Sequence, residues 1–440
     1  MKITDSGDFI VILNMLLYVA LSGVCLYKYK WRNLGTFLSL LYAVSSVAAW
    51  LLYNSPLYHA TYRNTSEPTI DGCLCLFIIN AALILTFTHF DLSKYICVHH
   101  YNPDALRLIQ KIVVLLLSVY LLFHLPAAAL DYFTSANLAR MRNAVYGTHI
   151  EQRFFVLSLI PRVIGSMPIV LIAITGIRYF LFRQMDKWDW FSILIYFLMN
   201  FYLVFSSVSR GTVVFVILEL AVVLIVFYPF LSKRIKKKIL VCSAALLPFL
   251  LSIFVTISVA RFGSYDKKPE FVGFTTLRYV GEAQLDFMTW LYPDLKEPFH
   301  GYRQLTLFRR IVGLDYDDGL GRKGTSVYDP YIKKTYKYTH PTYMFYGLAG
   351  DLVMNWGRIA GMILAVSICL LLRKLYKDGK AGISSFFIIL AVVLGSYYAK
   401  GIFYADYKYE SGNLLMLFLL LLYFYLKDTG RTYLIRGVSR

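Results

Sequence analysis

The sequence predicts an all-α, polytopic integral membrane bundle of about eleven spans. Three observations carry that prediction. Of the 440 residues, 58% are hydrophobic and only 16% charged, where a soluble domain carries roughly 25% charged residues to cover its surface. Apolar runs of roughly 20 residues, the length that crosses a hydrocarbon core, recur along the chain. The loops between them are short and alternate between basic-rich and basic-poor, as the positive-inside rule requires. The exception is Arg261–His340, a long stretch of charged residues, Tyr, Phe, Gly and Pro without a spanning run. The helices read as the anchor and that stretch as the working surface.

In chain order the runs are Phe9–Tyr27, Leu34–Tyr53, Gly72–Phe90, Ile112–Leu130, Val163–Phe182, Trp190–Ser207, Gly211–Phe230, Ile239–Ala260, Met344–Leu372, Ala381–Ala399 and Ser411–Leu426. The first is preceded by one Lys and two Asp; a cleaved leader wants a basic start and a small-residue cleavage site, so this run reads as a retained helix. The ninth is long for a single crossing, about 43 Å against a core of about 30 Å. Its first turns carry Asp351, Asn355 and Arg358, spaced to share one helical face turned into the protein.

The basic residues decide orientation. Lys28, Lys30 and Arg32, the run Lys233 to Lys238, and Lys427 with Arg431 fall on one side, which is therefore cytoplasmic together with the C-terminus. The N-terminus and two loops, 131–162 and 261–340, face outward, and residues 1–440 form one membrane domain. The 131–162 loop contains Asn137-Leu138-Ala139-Arg140-Met141-Arg142, whose helical spacing makes an amphipathic piece on the membrane surface. Within the 261–340 loop, Phe274 to Leu291 reads as helix and Asp315 to Gly324 as turns. A structureless loop of that length is unusual, which points to function or local structure.

The formal charge of +19 is mostly spread over alternating loops. It is a topology signal and argues against nucleic acid as a partner. The six cysteines lie in or beside apolar runs, with no disulfide framework and no zinc spacing. Asp315-Tyr316-Asp317-Asp318-Gly319 lacks the alternation and terminal glutamate of a calcium loop, so no metal and no cofactor is expected.

Among residues suited to chemistry, Arg210 sits in the tight turn Ser209-Arg210-Gly211, beside a helix start, where its donors suit a phosphate. Arg140 and Arg142 are placed to clamp an anionic headgroup, and Arg303, Arg309 and Arg310 form a second basic cluster whose forks suit a diphosphate. Arg278-Tyr279-Val280-Gly281-Glu282 opens a helix and offers Glu282 as a carboxylate base. His340, before Pro341, is the outward histidine best placed for proton transfer, and Asp351 is the carboxylate near the membrane most in need of an explanation. Each also has a plainer reading: an interfacial arginine, a solvated charge, or for Asp351 a structural ion pair. Glu219, in the middle of a span, is an intramembrane carboxylate that points away from Arg210 in a continuous helix.

Taken together, the topology, the paired arginines, Ser209-Arg210-Gly211, and Gly347-Leu348-Ala349-Gly350-Asp351 continuing through Asn355-Trp356-Gly357 to Gly361 resemble the Wzy-type polymerases of O-antigen and capsular repeat units. The family pattern carries Glu more often than Asp at the position of Asp351. The resemblance implies a fold similar to glycosyltransferases of the C class, in a bacterial cytoplasmic membrane. It implies undecaprenyl-diphosphate-linked oligosaccharides as substrates, with a chain-length regulator and a flippase as possible partners beside the lipid bilayer. Arg140, Arg142, Arg210, Arg278 and the Arg303, Arg309 and Arg310 cluster would hold the diphosphate; Glu282, His340 and Asp351 would supply the base. An O-antigen ligase and a repeat-unit flippase are the alternatives. An acyltransferase would want an intramembrane histidine, and His124 beside Pro126 reads as a packing residue.

Overall fold

The computed structural model describes residues 6–61, 67–134, 165–207, 209–262, 269–295, 298, 300–301, 304–305, 307–308, 347–377, 382–403, 405 and 410–435. These are overwhelmingly helical. In order they form α1 (Ser6–Tyr29), α2 (Leu34–Tyr53), α3 (Pro56–Thr61), α4 (Ile70–Leu85), β1 (Cys97–Tyr101), α5 (Pro103–Thr134), α6 (Pro168–Phe182), α7 (Lys187–Ser207), α8 (Arg210–Phe227) and α9 (Lys233–Phe262). Next come α10 (Pro269–Asp286), α11 (Gly347–Trp356), α12 (Arg358–Lys377), β2 (Gly382–Ser384), α13 (Ser385–Lys400), α14 (Glu410–Thr429) and β3 (Arg431–Leu434). Among the described residues, seven helices are long and apolar enough to cross a membrane: α1, α2, α5, α7, α8, α12 and α14. Three shorter apolar helices, α4, α6 and α13, accompany them. The protein is a multi-pass helical membrane bundle.

Local chemistry explains several helix starts. Asn33 accepts from the backbone N–H groups of Gly35 (2.9 Å) and Thr36 (3.3 Å), satisfying two of the donors that open α2. Thr69 does the same for α4 through Gly72. Pro103 and Pro168 stand at the first positions of α5 and α6, where a missing N–H costs nothing.

Two features depart from the sequence expectation. The described residues are not purely α-helical: β1 pairs in parallel with β2 and antiparallel with β3, giving a small sheet in the order β2-β1-β3. The strands are three to five residues long and abut helices, too short for alternation to register. The ninth run is also two helices rather than one. Gly357 takes φ +83°, a left-handed conformation that closes α11 by donating to Val353 O at 2.8 Å. α12 then turns back, bringing Gly361 so close to Leu352 that an added Cβ would lie 3.3 Å from the Leu352 backbone. The long run needs no tilt, and the predicted common face of Asp351, Asn355 and Arg358 is split between two helices.

The chain divides into two compact units. The first comprises Met1–Asp91, Lys268–Asp378 and Tyr397–Asn413; the second comprises Leu92–Lys267, Gly379–Ser396 and Leu414–Arg440. In the first, α1 and α10 both pack on α2, and α12 packs on α4. Its interior holds Tyr18, Leu38, Leu52, Ile79, Phe87 and Phe287. In the second, α7 packs between α5 and α6, and α8 lies against α9, with Tyr132, Val204, Val213 and Ile257 in one apolar cluster.

Charge is also buried in the second unit. Asp189, 1% exposed, accepts from Arg178 Nε (3.1 Å), Arg107 Nη1 (3.4 Å) and Gln110 Nε2 (3.0 Å). Asp186 pairs with the same two arginines and caps the start of α7 through Trp188 N at 2.8 Å. The pattern ties α5, α6 and α7 together at one end.

Candidate functional site

The helix expected within the 261–340 segment exists. It begins at Pro269, runs as α10 to Asp286, and continues through a π turn over Phe287–Leu291; such turns recur at functional positions. It does not lie as a solvated loop. Gly281 presses so tightly on α2 that a Cβ there would sit 2.4 Å from Ala49 N and 2.6 Å from Ala48 C. Ser45 on α2 donates to Val280 O at 2.8 Å. Gln284 accepts from Asn14 on α1 (2.7 Å) and donates to Tyr42 O on α2 (3.2 Å).

Packing at that depth buries polar side chains along one stripe of α10. Arg278, Glu282 and Asp286 are spaced four apart and share a face. Arg278 Nε donates to Glu282 Oε1 at 2.7 Å; the carboxylate side chain is 2% exposed and the arginine 34%. Asp286 is 1% exposed. Tyr58 on α3 faces this stripe: burial pushes its phenol well above the usual range, and the charge of Asp286 pushes it further, opposed by a hydrogen bond with Thr289. An arginine bonded to a buried carboxylate and about one-third exposed offers a held positive charge to an anion.

Asp351 belongs to the same unit, on α11. Gly347 opens that helix at φ +62°, and a Cβ there would stand 2.9 Å from Gly401 O and 3.9 Å from Ala283 Cβ, so α11 starts beside the turn of α10 that carries Glu282. The first N–H groups of α11 are satisfied from the end of α13, Gly347 N by Phe403 O (3.1 Å) and Leu348 N by Gly401 O (2.7 Å). Asp351 is 1% exposed and its Oδ2 accepts from Gln304 Nε2 at 3.3 Å. Gln304 Oε1 in turn accepts from Trp356 Nε1 (2.9 Å), and Gln304 O from Asn413 Nδ2 (2.8 Å). Gly301 N donates to Asn355 O at 3.0 Å. Asp351, Asn355 and Trp356 thus form a bracket that holds Gly301 and Gln304.

No protein-family model, characterised protein or solved structure matches this chain.

The remaining predicted residues are dispersed over both units. Arg210 opens α8 in the second unit; it is 7% exposed, with its guanidinium carbon 5.8 Å from the Phe254 ring. Arg358 opens α12 and donates to the carbonyls of Tyr292, Pro293 and Leu295, closing the end of the α10 stretch while stacking on Tyr292. Glu219 accepts from Tyr196 Oη at 3.0 Å. His124 stacks on Tyr120 at 4.1 Å between ring centroids, which is a packing role. Arg140, Arg142, Arg303, Arg309, Arg310 and His340 lie outside the described residues. Among the described residues, no group of three or more His, Cys, Asp or Glu side chains is placed to hold a metal.

Sequence reasoning passed over Asp286, Tyr58, Gln284 and Gln304. For Asp286 the signal was present as the next step of the Arg278, Glu282 spacing. For Gln304 and Tyr58 nothing local marks them, because their roles depend on partners more than forty residues or a whole helix away.

Proposed function

We propose that this protein polymerises undecaprenyl-diphosphate-linked oligosaccharide repeat units, moving the growing glycan from its carrier to an incoming lipid-linked unit on the outer face of a bacterial cytoplasmic membrane. The reading takes the chain as a bundle of about eleven crossings in the manner of C-class glycosyltransferases. Its long 261–340 segment lies on the outer side, with the C-terminus in the cytoplasm. The observation that carries it is the Arg278–Glu282 pair, a positive charge fixed and part-exposed inside a membrane bundle.

In the reaction an acceptor hydroxyl oxygen bonds to the anomeric carbon of the donor sugar. The bond from that carbon to the diphosphate breaks, and the diphosphate leaves with the electron pair. The acceptor proton goes to a base. Charge develops on the leaving oxygens, where fixed guanidinium donors stabilise the transition state more than the ground state. Arg278 takes that role here, with Arg210, Arg140, Arg142, Arg303, Arg309 and Arg310 as further donors. Glu282 accepts from Arg278 Nε and orients that guanidinium. Proton acceptance is then assigned to Asp351 or His340.

The test is a reconstituted assay with the full chain, lipid-diphosphate-linked repeat units and no added metal. R278A and R210A are expected to abolish the ladder of long products while leaving membrane insertion intact, and D351N and H340A separate the two candidate bases. Normal ladders from both arginine variants sink the reading. In a host lacking the protein, single lipid-linked units should accumulate; accumulation of finished lipid-linked polymer would instead indicate a ligase.

A further inference from the structure

At the end of the second unit where α9 begins lies a concentration of positive charge outside the Arg107, Arg178, Asp186 and Asp189 network. α9 opens Lys233-Arg234-Ile235-Lys236-Lys237-Lys238 with no acidic residue in its first turn. Lys233, Arg234, Lys237 and Lys238 are exposed and Lys236 half-buried. Two of these ammonium groups are seated over rings from neighbouring elements. Lys236 Nζ lies 4.7 Å from the Tyr228 ring, and Lys238 Nζ 5.4 Å from the ring of Trp190 on α7. Arg183, at the end of α6, joins them; it stacks at 5.3 Å on Phe230 and donates from Nη1 to Phe230 O at 2.7 Å. Cation–π seating holds long side chains in one region without neutralising them.

The neighbouring apolar side chains identify the surroundings of this charge. Leu240 and Val241, which follow the basic run after Ile239, are 71% and 61% exposed, and Trp190, Phe191 and Leu194 on α7 are also turned outward. In a membrane bundle such outward apolar residues meet lipid. The basic groups therefore stand at the border between an acyl-facing surface and the aqueous end of the bundle, the level at which aromatic and cationic side chains meet headgroups.

We propose that this border, formed by Arg183 with Lys233, Arg234, Lys236, Lys237 and Lys238, is a docking surface for anionic phospholipid headgroups. Free phosphate would satisfy the charge but not the adjoining exposed leucines and valines, whereas a phospholipid satisfies both. Lipid docking here does not depend on glycan transfer at α10.

The test uses the full chain in detergent with added phosphatidylglycerol or phosphatidylcholine, reading retained lipid by native mass spectrometry and thermal melting. The intact protein should retain phosphatidylglycerol in preference to phosphatidylcholine and melt higher with it, with the preference fading at high salt. Replacing Lys233, Arg234, Lys236, Lys237 and Lys238 by Gln should weaken phosphatidylglycerol retention by about tenfold or more. That variant's melting in phosphatidylcholine should stay as in the parent, showing that it folds. A control variant, K374Q/K427Q, should keep the preference. Equal loss in the control, unchanged retention in the five-residue variant, or displacement of the lipid by inorganic phosphate at matched charge each overturns the proposal.

Discussion

Arg278 donates from Nε to Glu282 Oε1 across 2.7 Å, one helical turn along α10, with the acid buried and the base about one-third exposed. The asymmetry decides what each substitution costs. R278A strands a carboxylate in the interior, a loss of about 3 kcal/mol. E282Q leaves a guanidinium that water still reaches, and should cost about 1 kcal/mol. The double variant R278A/E282Q should therefore melt above R278A alone, because it removes the stranded charge. Thermal unfolding of the three variants in one detergent measures this directly; a double variant less stable than R278A refutes it.

Gly281 is the contact that sets how deep α10 sits. With a Cβ position only 2.4 Å from the Ala49 backbone, neither neighbour can yield by rotating a side chain. G281A should cost about 1–3 kcal/mol and G281V more, since overpacking a close backbone contact forces the helices apart. A G281V protein that melts like the parent would show that α10 is held elsewhere.

Gly357 separates α11 from α12 at φ +83°. G357A should destabilise by about 1 kcal/mol through the left-handed conformation alone. G361L should cost more, because its side chain would enter the space of Leu352 and Val353. The comparison reads out by melting. Equal, negligible shifts in both would mean that the corner tolerates straightening.

Asp189 and Asp186 share two arginines but differ in burial, 1% against 42% side-chain exposure. D189A should cost about 3 kcal/mol and D186A about 1 kcal/mol, since only the first leaves guanidinium groups and Gln110 without their buried acceptor. Urea or thermal unfolding ranks them, and the reverse order would place the weight of the cluster on the capping role of Asp186.

The helices were readable because the bilayer imposes a length and a polarity that composition cannot hide. Among the described residues, each expected apolar run falls largely on helix, and the piece expected from Phe274 to Leu291 is helical throughout. The division of the ninth run was not foreseen, although Gly357 was in view, because a glycine in an apolar run usually continues the helix. The sheet escaped because its strands pair across hundreds of residues. Burial of Glu282 was missed for a related reason. A charged residue in a segment without a spanning run reads as solvated, and only the notch at Gly281 and the partners on α1 and α2 carry α10 inside. Arg358 illustrates the reverse error: its spacing on one helical face with Asp351 suggested an ion pair, whereas it closes three carbonyls at the far end of α10.

The bond between Asn14 and Gln284 joins the first helix to one made some 270 residues later. A ribosome releases α1, α2 and α4 into the bilayer long before it reaches the stretch that completes them. Until then Asn14 lacks Gln284 and the groove over Ala48 and Ala49 lacks Gly281. The opening helices therefore gain α10 only after residues 92–267 of the second unit have been made, and α12, which packs on α4, follows later still.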